Sequence, residues 1–451
     1  MIRAESRGPR VITWLLLAVP VCAVLGIVLG AGSPPPGVSA VTYTTAIVLA
    51  TLGWYGSVLI LPLMLVISAI CLGAMIKQVL ANRMVRLAPG VAPALGLGAL
   101  LSVIHGVWWL AGFVGGLHGF VATVMAWAIV LGPVIVWQRR FRLPTWIFAG
   151  GILAEGLPGA SAKDAAAGRA RWRDGVVLLL VIVAALEFVM PYAMVPPGTL
   201  WRSEYGGYDA LSYHLPLAQE WYTRGWLAPV AHNVYSFLPS YFESAFVHMA
   251  AMVGSPQTAA ARLGAPGQVA VGLMAGDGRL VLSAQALHTL TLGFAAWSVA
   301  GLARGIWMRV RFDRGEPDDE ADDAGNAAGK DVAGFGARCA GLIAAILTIA
   351  SPWMVVTGTL AYNEAPLVAM LAAALACALS AELGAKSRGV LCGVLTGLAC
   401  CIKPSALVLG APMVGIAMLV GCWDAVRAAH YPNFRYVVTR RVGMCVGVCL
   451  V

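Results

Sequence analysis

The feature that most constrains this chain is a series of apolar runs, each at least as long as a membrane is thick. Val11–Ala31, Thr45–Ile76 and Val91–Phe113 contain no acidic residue, lysine or arginine. About 20 such residues cross the hydrocarbon core as a helix, which satisfies every backbone polar group internally. A membrane β-barrel would show short alternating segments instead. The sequence therefore predicts an all-α, polytopic integral membrane protein.

The composition and the charge distribution support this interpretation. The chain is 60% hydrophobic and 11% charged, whereas soluble proteins carry about 25% charged residues. Its net charge of +9 does not indicate a nucleic-acid partner, because the basic residues form short clusters between apolar runs, as in cytoplasmic loops. With the basic clusters placed on one side, we count about ten transmembrane helices.

The apolar runs and the basic clusters divide the chain into three parts. Residues 1–142 are predicted to form an N-terminal region of four helices, and residues 143–174 a polar cytoplasmic linker. Residues 175–451 hold the remaining spans, which we place at Gly175–Met194, Leu280–Ala303, Cys339–Thr357, Ala365–Leu383 and, as a hairpin of two helices, Gly389–Trp423. The last apolar stretch, Val442–Val451, is too short to span. We expect a re-entrant end or, in preference, a core that is incomplete at its C-terminus.

One long polar loop interrupts this pattern, from Tyr205 to Glu243. It combines acids and histidines with aromatic residues directly after an apolar run, and such loops are typical places for function. Within the loop, Pro216 and Gly225 predict a short helix, Leu217–Arg224. We expect Glu220 and Arg224 to form a salt bridge on it. A second interfacial helix is predicted to begin near Glu243.

Asp209 is the acid of this loop with two possible roles. It follows Gly206 and Gly207, which allow a sharp turn, and Tyr213 lies one helical turn later on the same face. Aspartate commonly caps a helix N-terminus. A carboxylate at a membrane edge can instead take a proton from an acceptor hydroxyl. The spacing alone leaves both roles open.

Two further polar features fall on the same side of the membrane as this loop. They are the turn at Asn363 and Glu364 and the helix tip at Lys403. Lys403 can pair with a phosphate as a point charge, or it can be a lysine at a helix end whose charge reaches the membrane surface. Glu187, inside a predicted span, is either functional or a hydrogen-bonded interhelical acid. His214 and His232 show no regular ligand spacing, so we expect no metal site.

Three segments resemble a known family. They are Asp209-Ala-Leu-Ser-Tyr-His-Leu-Pro216, Ala361–Pro366 (AYNEAP) and Gly397–Leu407 (GLACCIKPSAL). In this order they resemble bacterial membrane glycosyltransferases of the GT-C superfamily, which are related to the dolichyl-phosphate-mannose protein mannosyltransferases and to rhizobial lipopolysaccharide-core transferases. The resemblance covers about residues 175–423.

This resemblance implies a GT-C-like core in the bacterial inner membrane and a polyprenyl-phosphate sugar as donor. The acceptor would be a glycan, a lipid or a protein at the extracytoplasmic face, and no cofactor is expected. The resemblance assigns the general base of an inverting transfer to Asp209 and a supporting catalytic role to Glu364. Lys403 would bind the donor phosphate. We also expect the neighbouring side chains to bind substrate, namely Tyr213, His214, Glu243 and Asn363.

A function of another class is compatible with the same residues. Intramembrane ionisable groups and broken helices also mark transporters and lipid-handling proteins. In that alternative, Glu187, Glu364 and Lys403 would line a path. Transporters often contain two similar halves, and we find no convincing repeat in this sequence.

Overall fold

A computed structural model describes residues 39–81, 85, 87–141, 162–200, 207–254, 279–313, 327–380 and 382–429. The described residues are helical and contain no β-strand, which confirms the predicted all-α class. The predicted first span and the C-terminal apolar stretch lie outside these residues, as does most of the acidic segment after residue 314.

The first half of the described chain forms four long helices. They are α1 (Ala40–Ala81), α2 (Val91–Leu110, continued by a 3₁₀ turn, Ala111–Val114), α3 (Gly119–Phe141) and α4 (Ala162–Ala193). Helix α1 continues through Pro62 and is about 63 Å long, which exceeds a hydrocarbon core of about 30 Å. Because α4 begins at Ala162, the second part of the predicted linker is helical; residues 143–161 are not described.

The second half contains the predicted loop helices and the remaining apolar helices. They are α5 (Leu215–Arg224), α6 (Glu243–Val253), α7 (Arg279–Asp313), α8 (Ala327–Ala350), α9 (Pro352–Gly358), α10 (Glu364–Leu379), α11 (Ala385–Ile402) and α12 (Ala411–Ala429). A π-helical turn precedes α5 at Ala210–His214, and another precedes α12 at Ala406–Gly410. The short helix predicted after Pro216 is confirmed, since α5 ends at Gly225 with a positive φ of 79°.

Among the described residues fewer helices are long enough to span a membrane than the sequence suggested, and the first predicted span lies outside these residues. Six helices in the described part of the chain are long and apolar enough to cross a membrane, or seven if α8 and α9 count as one broken span. This is fewer than the ten predicted. Helix α10, predicted to span as residues 365–383, has 16 residues and ends where Ser380 becomes extended. Helix α11 is long enough to cross a membrane, whereas the apolar part of α12 is shorter than a span requires.

A break separates α8 from α9, where a single span was predicted. The two helices meet at an angle of 57°. Pro352 is the first residue of α9, and Ser351 before it has ψ of 128°, outside the helical region. Proline lacks a backbone N–H and disfavours helical backbone in the residue that precedes it. The bend directs the chain towards the turn that carries Asn363 and Glu364.

Helix α7 is the centre of the bundle, and it packs against α10, α8, α1 and α4. The outward faces are apolar, with Leu49, Phe120 and Leu347 more than 60% exposed, as lipid-facing side chains are. Helices α1 and α2 touch through backbone at Gly96. A Cβ atom added there would lie 2.0 Å from the carbonyl oxygen of Ala69, so glycine is required for this approach.

The clusters of basic residues and the polar loop lie at opposite ends of this bundle. The turn before α2 packs on α7 near its basic end, with Gly90 against Ser298. At the other end of α2 and α3, Leu117 N–H bonds to the carbonyl of Gly225 in the polar loop. Helix α11 begins beside Lys386 and ends at Lys403. The predicted separation of basic clusters from the polar loop therefore holds for the described helices.

Candidate active site

Asp209 lies at the start of the π-helical turn, and its side chain does not cap a helix. Gly207, with φ of 75°, turns the chain just before it. Asp209 has helical backbone angles and accepts no capping hydrogen bond. Its Oδ2 atom instead accepts a hydrogen bond of 2.9 Å from the hydroxyl of Tyr213. The N-cap interpretation is therefore wrong, and the shared face of Asp209 and Tyr213 is confirmed.

Tyr213 is held between a carboxylate and an aromatic ring. Its ring stacks on Tyr235 with centroids 4.1 Å apart and planes 19° apart. Burial raises the pKa of Tyr213, and the hydrogen bond to Asp209 and the nearby carboxylates raise it further. The phenol therefore stays neutral and donates a hydrogen bond to Asp209.

His214 points inward from the same turn and begins a buried polar cluster. Its Nδ1 atom lies 2.6 Å from Oε1 of Glu243, the first residue of α6, and both side chains are less than 10% exposed. A π-helical turn fits one more residue than an α-helical turn, which changes the direction of the side chains around it. Tyr213 and His214, adjacent in sequence, thus contact Asp209 and Glu243 respectively.

Asn363 joins this cluster to the end of α11. Its Nδ2 atom donates to Oε1 of Glu243 at 3.1 Å and to the carbonyl of Ile402 at 3.1 Å. Both partners are acceptors, so the amide nitrogen must face them. Three buried atoms here have no hydrogen-bond partner among the described residues: Nε2 of His214, Oε2 of Glu243 and Oδ1 of Asn363. The cluster fixes the position of the backbone just before Lys403.

Glu364 and Lys403 form an ion pair at the accessible edge of the cluster. Their side chains are 19% and 31% exposed, so solvent reaches both. Burial acts to raise the pKa of Glu364, but the ammonium of Lys403 and neighbouring histidines outweigh this and lower it. Lys403 ends α11, because Pro404 disfavours helical backbone in the residue before it.

These contacts connect all seven predicted site residues. The series runs from Asp209 to Tyr213, His214, Glu243, Asn363, Glu364 and Lys403. It joins four segments that are far apart in sequence. Glu243 and Asn363 are buried. Their side chains contact other site residues and are not exposed at the protein surface.

Sequence reasoning missed the part that His288 has in this arrangement. It is fully buried in α7. Its Nδ1 atom donates to the carbonyl of Leu360 at 2.9 Å, and its Nε2 atom accepts from the backbone N–H of Ala365 at 3.0 Å. His288 thereby fixes the turn that carries Glu364. The only sequence signal for this role was the position of His288 inside a predicted span.

The other polar residues of the loop lie apart from this series. Glu220 pairs with Arg224, as predicted, and also with His232, which is 69% exposed. His214 and His232 therefore do not meet. The described residues contain no group of three histidine, cysteine or acidic side chains that could hold a metal ion.

Glu187 also lies away from the ion pair of Glu364 and Lys403. It is exposed on α4. The three residues proposed to line a transport path are thus not brought together.

Comparison with known proteins adds an independent observation. A family model, dolichyl-phosphate-mannose-protein mannosyltransferase, matches residues 334–436. This match supports a membrane glycosyltransferase of the GT-C type. No curated protein and no solved structure matches it.

The matched part of the glycosyltransferase includes one half of the site. It contains the bent α8–α9 pair, the turn with Asn363 and Glu364, and Lys403. Asp209 and Glu243 precede the match, and the structure joins them to it. The resemblance predicted from the sequence motifs is therefore confirmed at the level of the glycosyltransferase type.

Proposed function

We propose that this glycosyltransferase moves a sugar from a polyprenyl-phosphate donor to an acceptor hydroxyl at the extracytoplasmic face, with inversion. The observation that carries the proposal is the series of contacts from Asp209 to Lys403 at one end of the bundle. It connects a carboxylate suited to accept a proton with a cation suited to bind a phosphate. These are the two charges that such a transfer requires.

The distribution of basic residues supports the extracytoplasmic face. Cytoplasmic loops of membrane proteins carry an excess of lysine and arginine. In this chain Arg139 and Arg140 end α3, and Lys386 lies in the first turn of α11, all at the end opposite to Asp209. The site is thus proposed to open on the other side.

The proposed reaction is one displacement at the anomeric carbon. The acceptor oxygen forms a bond to this carbon as the bond to the phosphate oxygen breaks, and the phosphate leaves with the electron pair. The acceptor proton passes to Asp209, which acts as the general base. Tyr213 engages Oδ2 of this carboxylate, so Oδ1 is the oxygen that takes the proton.

Lys403 is proposed to stabilise the leaving phosphate. In the free protein its ammonium is neutralised by Glu364. A phosphate that approaches this partly exposed pair would bind the ammonium, whose point charge would counter the negative charge that develops on the phosphate. Glu364, whose pKa is lowered, would keep Lys403 in place between turnovers.

The surface beside Lys403 supports a lipid-linked donor. Leu407, Val408 and Leu409 follow it in the π-helical turn and are 58–71% exposed. An apolar polyprenyl chain would lie against such a surface when its phosphate reaches Lys403.

The test is sugar transfer from defined polyprenyl-phosphate sugars in membranes that contain the full chain. Asp209→Asn should lower the rate by about 10²–10⁴-fold, because it removes the base. Glu220→Gln is the matched control, since it removes an acid of the same loop that pairs only with Arg224 and His232 in the described structure. Full activity of Asp209→Asn would show that Asp209 is not the general base.

A further inference from the structure

A cavity lies between α4, α7 and α8, away from the candidate active site. Its volume is about 250 Å³. Two arginines and five other residues line it, namely Arg304, Arg338, Val177, Leu178, Phe335, Gly341 and Leu342. The cavity thus combines two guanidinium groups with an apolar wall.

The cavity is at the end of the bundle opposite to Lys403. His288, beside the active site, and Arg304 are 16 residues apart on α7, which corresponds to about 24 Å along a helix. Val177 is near the start of the span Gly175–Ala193, and Phe335 begins the apolar part of α8. The cavity is therefore at the depth where a span meets the lipid headgroups of the basic face.

The position of Arg304 is set by the close approach of α7 and α8. Its methylene stem lies across Gly341, where a Cβ atom would come within 2.9 Å of Cγ. One turn further along α7, the ring of Trp307 covers Gly336 in the same way. The two glycines bring the helices together, and Arg304 lines the cavity beside this contact.

Exposed aliphatic side chains continue from the cavity towards the middle of the membrane. Leu179 and Val183 on α4 are 39% and 44% exposed, and Ile343 and Leu347 on α8 are 57% and 64% exposed. A molecule with its phosphate at the arginines would thus find an apolar surface for its hydrocarbon chains on both neighbouring helices.

We propose that this cavity binds the phosphate headgroup of an anionic glycerophospholipid of the surrounding leaflet. One guanidinium group can donate two parallel hydrogen bonds to two oxygens of a phosphate. Basic pockets between transmembrane helices on the cytoplasmic side bind anionic lipid headgroups. A free phosphate would meet the two arginines but would leave the aliphatic path unused. A lipid supplies both parts, and it would link α4 to the α7–α8 pair.

The proposal is tested by native mass spectrometry of the purified full chain in detergent, titrated with phosphatidylglycerol. Arg304→Gln and Arg338→Gln should each weaken binding about tenfold. Arg309→Gln is the matched control, because it removes the same charge from α7 at a position that does not line the cavity. Gly341→Ala keeps all charges but displaces the stem of Arg304, so it should also weaken binding.

Four outcomes would overturn the proposal. They are equal binding of phosphatidylcholine, equal affinity for inorganic phosphate alone, an Arg309→Gln effect as large as that of Arg304→Gln, and unchanged binding by all the cavity variants. Thermal unfolding of each variant without lipid identifies a variant that fails to fold. Asp209→Asn should bind the lipid normally, so failure of the proposed reaction and failure of this site are distinguishable.

Discussion

Replacement of Asn363 by aspartate tests whether its buried hydrogen bonds hold the part of the site with Asp209 and the part with Lys403 in their relative positions. Asn363 donates two hydrogen bonds of 3.1 Å, to Oε1 of Glu243 and to the carbonyl of Ile402. An ionised aspartate of the same shape donates neither. The carbonyl of Ile402 then lacks its side-chain donor, at a cost of about 1–3 kcal/mol, whereas Oε1 of Glu243 keeps His214 and loses one hydrogen bond of about 0.5–1.5 kcal/mol. We therefore expect a loss of about 2–4 kcal/mol in the free energy of unfolding.

The loss should depend on pH. Burial and the facing acceptor oxygens disfavour the charged form of the introduced carboxyl, so its pKa in the folded state is raised above the unfolded value. The variant is therefore most stable, relative to wild type, at low pH, and loses stability as the pH rises through the folded pKa. Once protonated, the carboxyl donates one hydrogen bond, and the cost falls to about 1–3 kcal/mol.

The measurement is thermal unfolding and sugar transfer of the purified Asn363→Asp chain between pH 5 and pH 8. Its activity should fall more steeply with rising pH than that of wild type, because displacement of Ile402 moves Lys403. Asn363→Ala is the control, since it removes both donors without a titratable group and should lose stability equally at both pH values. Wild-type behaviour of Asn363→Asp at pH 8 would refute the role given to this cluster.

Three further substitutions test the edges of the site and the fold. Tyr213→Phe removes the hydrogen bond to Asp209 and should lower kcat about tenfold without a change in donor KM; a change in KM alone would contradict the proposal, and thermal unfolding checks the fold. Lys403→Gln should raise the KM for the sugar donor and lower the free energy of unfolding by roughly 1–3 kcal/mol. The double variant with Glu364→Gln should regain the wild-type stability but keep the raised KM. Restored KM would show that Lys403 does not bind the phosphate. Arg388→Ala leaves two backbone acceptors at the end of α10 without this donor and should lower the unfolding free energy by about 2–6 kcal/mol; an unchanged melting temperature would refute it.

The membrane fold and the short loop helix followed from local sequence. Apolar length predicts spans because the bilayer imposes one requirement on every residue of a helix that crosses it. Pro216 and Gly225 predicted the bounds of α5 to within two residues, because a fixed φ and a positive φ are properties of those residues themselves. The pairing of Glu220 with Arg224 was predictable for the same reason, since helical spacing alone brings them together.

The number and shape of the spans depended on packing. Helix α10 is too short to be counted as a span, and its end at Ser380 is capped by Arg388 from the next helix. The break at Pro352 needed the rest of the bundle to set its angle. An apolar run shows that a segment avoids water, but it does not distinguish lipid contact from contact with other helices.

The sequence by itself determined which residues were candidates for the site, and the tertiary structure decided how they are used. Asp209, Glu364 and Lys403 stood out because charged residues are rare beside apolar runs. Only the folded chain showed that Asp209 bonds to Tyr213 rather than to a helix end, and that Glu243 and Asn363 are buried between the two halves. Sequence cannot supply this, because the hydrogen bond from Asn363 to Glu243 crosses 120 residues of chain, and only the tertiary structure brings the start of α6 and the end of α11 to the turn before α10.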